Sequence, residues 1–352
     1  MSPVNVRLAD VAKAAGVSHG TASNAFSRPE IVRKEVRERV YEAARVLGYA
    51  GPDPKGRLLR AGKVNAIGVA TAEPLSYFFE DPFARVVMSG ITEICDANGA
   101  GISLVSAMND EKLAWNVQSA VVDGFILFCI EGGPRLVDLT RARQLPFVAL
   151  ELGFNDPTIS AVGVDNLAGA KLAARHLAEL GHRRYAILAL PFVDDRSGPV
   201  AMPDVAAAIY SDSRSRVTGY FLVLKDFGID TEAVPIYETM GEEETAREGI
   251  DYLMSLQNPP TAIFAMSDRL ALAAIERLRE KGFSVPGDVS IIGFDGVPEG
   301  EFSEPPLTTI AQPIAEIGRR AASIIMDGDG SVRRETLPVE LIERASTAPP
   351  KH

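Results

Sequence analysis

From Val64 onward, short apolar runs alternate with amphipathic stretches, and this alternation restricts most of the chain to parallel sheets covered by helices on both faces. Strands are predicted over 65–70, 101–105, 124–128, 146–150, 161–164, 185–190, 234–237, 261–265, 289–294 and 336–342. Between them lie predicted helices over 83–97, 111–121, 167–180, 214–227, 242–256, 268–281 and 314–326. About ten strands are too many for one comfortable open sheet, so the body is expected to be two-lobed. A loop containing Pro and Asp spans 191–212, either a cover for the cleft or a surface insertion. The tail from Ala345 to His352 reads as disordered.

The first fifty residues differ in texture. Ala9, Val11, Ala12 and Ala15 recur at helical spacing, Gly16 suits a left-handed turn, and Ser18 is placed to cap a second helix. Val17, Ala22 and Phe26 return to the core, which leaves His19, Gly20, Ser23 and Asn24 outward. Two helices joined in this way place the start of the second in a DNA major groove, although the same pair also occurs in proteins that never touch DNA. A third helix is expected over 32–47, striped by Val36, Val40, Ala43, Ala44 and Leu47 and closed by Gly48. Charge points the same way. Residues 1–63 hold 12 Lys and Arg against 6 Asp and Glu, whereas the remainder holds 24 against 41. A basic head on an acidic body is expected where only the head meets polyphosphate.

Several function classes are disfavoured. No apolar run approaches the roughly 18 residues of a membrane span, and the N-terminus lacks a secretion signal, so a cytoplasmic location is expected. Cys95 and Cys129 read as buried free thiols. The four histidines show no metal-binding spacing, no phosphate-cradling glycine loop occurs, and the serines lack a nucleophile setting. No metal, no cofactor and no catalytic residue are therefore expected. The competing readings are a cytoplasmic solute-binding protein, or an enzyme with no DNA role.

The chain resembles the LacI/GalR family of bacterial transcriptional repressors over nearly its whole length. The head carries Asp10-Val11-Ala12, Ala15-Gly16-Val17-Ser18 and Thr21-Ala22-Ser23. The body carries Val122-Asp123-Gly124, Val164-Asp165-Asn166, Leu180-Gly181-His182, Arg216 with Gly219-Tyr220, Ser267-Asp268, Ser290 through Asp295, and Leu307-Thr308-Thr309-Ile310. The resemblance implies a small all-α helix-turn-helix head on an α/β body with the two-lobed fold of periplasmic sugar-binding proteins and parallel sheets. It also implies a homodimer on near-palindromic double-stranded operator DNA, controlled by a small sugar-like effector between the lobes. The expected domains are 1–50 (head), 51–63 (hinge helix and linker), 64–163 with 312–325 (first lobe), 164–311 with 326–346 (second lobe) and 347–352 (tail).

On the same resemblance, His19, Gly20 and Asn24 look like base readers, and Ser18, Thr21, Ser23 and Ser27 like phosphate contacts. Leu59 looks like the minor-groove wedge, with Leu58 as the alternative. Asn24 stands where many members carry Arg, and asparagine suits the edge of adenine rather than guanine. The effector cleft is expected to take Arg216, Ser267 and Asp295, joined by Phe79, Asp81 and Phe83 from the loop after the first strand. The alternative for each ring is ordinary packing, and for Arg216 with Asp295 a structural ion pair.

Overall fold

The computed structural model describes residues 6–51, 63–108, 110–128, 134–150, 152, 156–328 and 330–351. The hinge 52–62, with Leu58 and Leu59, and also Cys129 lie outside the described residues. The chain divides into two units, Met1–Val64 and Asn65–His352.

In the first unit, α1 (Leu8–Ala14) and α2 (His19–Ser27) are joined by a turn in which Gly16 takes φ +65°. That left-handed value is cheap only for a residue without Cβ. A 3₁₀ turn, Pro29–Ile31, precedes α3 (Lys34–Leu47), which ends on the left-handed Gly48. Val11, Ala12, Ala22, Ala25, Val40 and Ala44 form the buried core, and Phe26, Val32 and Tyr49 pack on it. The small residues let three short helices approach closely. Tyr41 ties α3 to α2 by donating its hydroxyl to the Ala25 carbonyl at 2.7 Å.

The second unit contains two sheets. The first has the order β12-β5-β4-β3-β1-β2, formed by β1 (Ala66–Thr71), β2 (Gly101–Ser106), β3 (Gly124–Phe128), β4 (Phe147–Ala149), β5 (Ser160–Val164) and β12 (Arg334–Leu337). The other has the order β13-β11-β10-β9-β6-β8-β7. It comprises β6 (Tyr185–Ala189), β7 (Gly198–Val200), β8 (Ile236–Glu238), β9 (Ala262–Ala265), β10 (Ser290–Asp295), β11 (Thr308–Ala311) and β13 (Glu340–Ile342). All pairings are parallel except at the two edges, where β7 meets β8 and β11 meets β13 antiparallel. Among the described residues no helix is long and apolar enough to cross a membrane.

The structure corrects four expectations. The single strand expected over 336–342 is two strands in different sheets, separated at Pro338, whose missing N–H cannot continue a ladder. Accordingly 334–337 belongs with the first lobe, although 326–346 was assigned wholly to the second. The stretch 191–212 contains β7 and the helix Met202–Ala206. The buried Glu238 pins it, accepting from the backbone N–H of Phe192 and Val193 and from Arg196. The C-terminal tail is ordered: Ser346 is fully buried, accepts from Thr308 N–H at 2.8 Å and donates to the Ile291 carbonyl at 2.6 Å. Finally, the loop 75–83 holds a one-turn helix, Tyr77–Glu80.

Candidate functional site

On α2 the Ser18 side chain caps the helix, accepting from Thr21 N–H at 3.1 Å, and its Oγ lies 2.9 Å from Thr21 Oγ1. That bond orients both hydroxyls at the exposed helix N-terminus, where the helix dipole favours an anion such as phosphate. Ser18, His19 and Gly20 are exposed, as is Ser27, whose hydroxyl donates to the Ser23 carbonyl. Thr21, Ser23 and Asn24 are half-buried. These seven residues all lie on one short helix and its cap, while Ala22 and Ala25 turn into the core. Gly20 leaves its surroundings open: a Cβ built there would meet only Ser18 Oγ, at 3.8 Å.

In the body, a cavity of about 350 Å³ lies between the two sheets. Its lining comes from the carboxyl ends of strands and the loops that follow them, the usual place for ligands in parallel α/β sheets. After β1 come Glu73, Tyr77, Asp81 and Phe83, and β3 ends on Phe128. Asn166 follows β5, Ser267 and Arg269 follow β9, Asp295 ends β10, and Gln312 follows β11. The volume falls at the small end of the range for small-molecule sites.

Arg216 is the most constrained of these side chains. It sits on the helix Ser211–Asp226, which packs against the helix Asn166–Glu179 at Gly219. A Cβ at Gly219 would come within 2.6 Å of both Ala170 Cβ and the Leu167 carbonyl oxygen, so glycine is what permits the approach. One turn earlier, Arg216 donates Nε to Asn166 Oδ1 at 2.8 Å and Nη1 to the Met266 carbonyl. Its guanidinium lies 3.7 Å above the Phe294 ring. It is thus braced by Asn166, Met266 and Phe294 while still facing the cavity.

Asp295 is buried, with φ +134°. Its Oδ1 accepts from Gln312 Nε2 at 2.8 Å and its Oδ2 from Asp268 N–H at 3.3 Å. Burial raises its pKa well above the usual range, Arg216 opposing and Asp268 reinforcing that rise. Asp268 itself is structural. It accepts from Thr309 Oγ1 and from the backbone N–H of Gly296 and Val297, and burial pushes it up to about 6. A Cβ at Gly293 would lie 2.2 Å from Asp268 Oδ1, which explains the glycine before Phe294-Asp295. Ser267 caps the helix Asp268–Glu280. Asp81 caps Pro82–Asn98 through Ala84 N–H and lies 3.6 Å from Arg269 across the cleft. Burial raises its pKa despite those partners.

Of the expected cavity residues, Arg216, Ser267, Asp295, Asp81 and Phe83 line one space. Phe79 does not. It is 67% exposed, because successive residues of the one-turn helix point about 100° apart and Phe78 takes the buried position against Phe128. Tyr77 takes the cavity-facing position expected of Phe79. Sequence reading also passed over Asn166, Gln312, Arg269, Phe128 and Ser213. Asn166 and Phe128 stand at or just after the carboxyl end of a predicted strand, which is a signal for such a site, whereas Gln312 follows β11, a strand the apolar pattern does not predict.

Comparison with known proteins gives concordant results. Residues 7–51 match the description "Bacterial regulatory proteins, lacI family", and residues 174–347 match "Periplasmic binding protein-like domain". The HTH-type transcriptional regulator Rv3575c of Mycobacterium tuberculosis is 35% identical, over 99% of this chain and all of the relative. Among solved structures, the complex of the transcriptional regulator CelR with cellobiose aligns with a TM-score of 0.70 at 25% identity, covering 97% of this chain and 99% of that one. A LacI family regulator from Enterococcus faecium with bound ribose aligns at 0.68 and 28% identity, covering 81% of this chain and all of that one.

Proposed function

The chain belongs to the LacI family of bacterial regulatory proteins, and from that premise we propose that it is a cytoplasmic, dimeric repressor whose hold on operator DNA is set by a sugar-like metabolite. Its relatives are transcriptional regulators rather than enzymes. The observation that carries the reading is the pairing, in one chain, of a capped and exposed α2 with a ligand-sized cavity between two sheets.

In this reading His19, Gly20 and Asn24 meet base edges, and the hydroxyls of Ser18, Thr21, Ser23 and Ser27 meet phosphates. Leu59 supplies the minor-groove wedge. The effector lodges among Asp81, Phe83, Arg216, Ser267 and Asp295, an assignment supported by their convergence on the cavity and by the cellobiose and ribose held by structural neighbours. Such a ligand acts by favouring one lobe arrangement over another, and it shifts DNA binding only as far as its affinities for the two differ.

A gel-shift titration with the DNA upstream of the protein's own gene tests this at low and moderate salt, with and without a metabolite panel. Binding should fall steeply with salt, and one metabolite should change it. Absence of binding at low salt would return the chain to the solute-binding class.

A further inference from the structure

Among the described residues, six carboxylates line the cavity: Glu73, Glu80, Asp81, Asp212, Glu242 and Asp295. Against them stand two guanidiniums, Arg216 and Arg269, both already engaged. Arg269 lies against Asp81. An arginine grips a phosphate or carboxylate through two adjacent nitrogens, either Nε with Nη2 or the two Nη atoms. Arg216 has given its one Nε hydrogen to Asn166 and one of the two on Nη1 to Met266, so both edges already carry a bond to the protein itself. Partial desolvation raises the pKa of Glu73, Glu242, Asp81 and Asp194 raise it further, and Arg269 opposes them. Glu73 follows β1 of the first lobe and Glu242 precedes the helix Glu243–Ser255 of the second, so both lobes bring acids to the lining.

Resting on the effector reading above, we infer that the cavity selects a ligand without phosphate or carboxylate: an uncharged or amine-bearing polyol whose hydrogen-bond donors converge on Glu73 and Glu242. Hydroxyl and ammonium groups donate to carboxylates, whereas an anion would add like charge to a lining in which acids outnumber arginines. Tyr77, Phe83 and Phe128 supply apolar surface for a ring face. Glu73 and Glu242 are thereby the residues that determine specificity against the phosphorylated forms of the same compounds.

The test uses the full chain and matched pairs of probes: ribose with ribose 5-phosphate, glucose with glucosamine and glucose 6-phosphate, cellobiose with cellobionic acid, and adenosine with its 5′-monophosphate. Thermal shift gives the first readout and calorimetry the affinities. The expected result is that every compound that binds is neutral or amine-bearing and binds at least about tenfold tighter than its anionic counterpart, the scale of one like charge a few ångströms away at a solvated protein surface. The Glu73→Gln, Glu242→Gln double variant should narrow that ratio. An anionic member binding as well as its parent overturns the inference while leaving the effector reading intact. Silence across the whole panel counts against the effector reading itself, and the inference falls with it.

Discussion

Replacing Arg216 with methionine separates a side chain that only awaits a ligand from one that also holds the cavity's shape. Arg216 is buried, with two donated hydrogen bonds and a ring beneath it. Methionine replaces its unbranched stem but not its guanidinium, leaves Asn166 Oδ1 and the Met266 carbonyl buried without their donor, and takes away the cation that opposes protonation of Asp295. Breaking one side of a buried charged network costs about 3–5 kcal/mol. For a body of this size that cost lowers the melting temperature of the ligand-free protein by about 6–20 °C. The loss also depends on pH. Burial holds the folded pKa of Asp295 above its unfolded value, so its contribution is present at low pH and is lost as pH rises. Removing Arg216 raises that pKa further, and the deficit should therefore be larger at pH 8 than at pH 5.5. Thermal unfolding by circular dichroism at both values is the assay. A ligand-free melting temperature within about 1 °C of wild type would refute the bracing argument and leave Arg216 as a pure ligand contact.

Asn24→Arg should move the preferred base at its contact from adenine to guanine, with discrimination of about 1–3 kcal/mol in an operator selection; an unchanged preference would remove Asn24 from base reading. Phe83→Ala should weaken effector binding about tenfold, whereas Phe79→Ala, on a ring 67% exposed, should leave calorimetric affinity unchanged. Asp268 is raised to about 6 by burial, so it stabilises the fold below its unfolded pKa and loses that contribution as pH rises through 6. The stability gap between wild type and Asp268→Asn should accordingly shrink from pH 4 to pH 7, and a constant gap would contradict the shift. Deleting residues 345–352 removes the Ser346 bonds to Thr308 and Ile291 and the Ala348 carbonyl from His182. At about 1 kcal/mol each, these three bonds, lost together with those of Thr347, Ala348 and Lys351 to His176, Ser290 and Asp288, predict a clear fall in melting temperature, which a dispensable tail would not show.

The sequence was most informative where a periodicity or a backbone constraint stood alone. The small-residue spacing of 9–15 and the glycine at 16 located α1, its turn and α2, because few other conformations satisfy both. The Arg216 and Asp295 motifs pointed to one cavity, and the structure adds the reason for their glycines: Gly219 admits the Asn166–Glu179 helix, and Gly293 admits Asp268. Where local pattern and long-range pairing disagreed, the string was silent. The apolar texture of 336–342 does not say that Pro338 sends its two halves to different sheets. Polar composition made 345–352 resemble a free end, yet Ser346 is held by partners 38 and 55 residues away. In Tyr77-Phe78-Phe79 all three side chains are aromatic, and the phase of a single helical turn decides which one faces the cavity.

The same features explain how a small ligand can govern a body of this size. The chain passes between the sheets near 165, 312–313 and 338–339, so the lobes are joined by short connections at the base of the cleft. They also meet at the start of the Pro82–Asn98 helix, where Asp81 reaches Arg269 and Arg85 reaches Glu299, and where Val297 of the second lobe packs into the core of the first. The arginines of both pairs are substantially solvated, and pairs of that kind are worth about 0–1 kcal/mol each. Such contacts orient the lobes without locking them. A ligand that gains a few hydrogen bonds from both sides of the cavity in only one arrangement outweighs them, and about 1.4 kcal/mol of difference already shifts the balance tenfold. Weak ion pairing between the lobes and rigid bracing at Arg216 are therefore complementary: the second fixes what is recognised, and the first leaves the lobes free to respond to it.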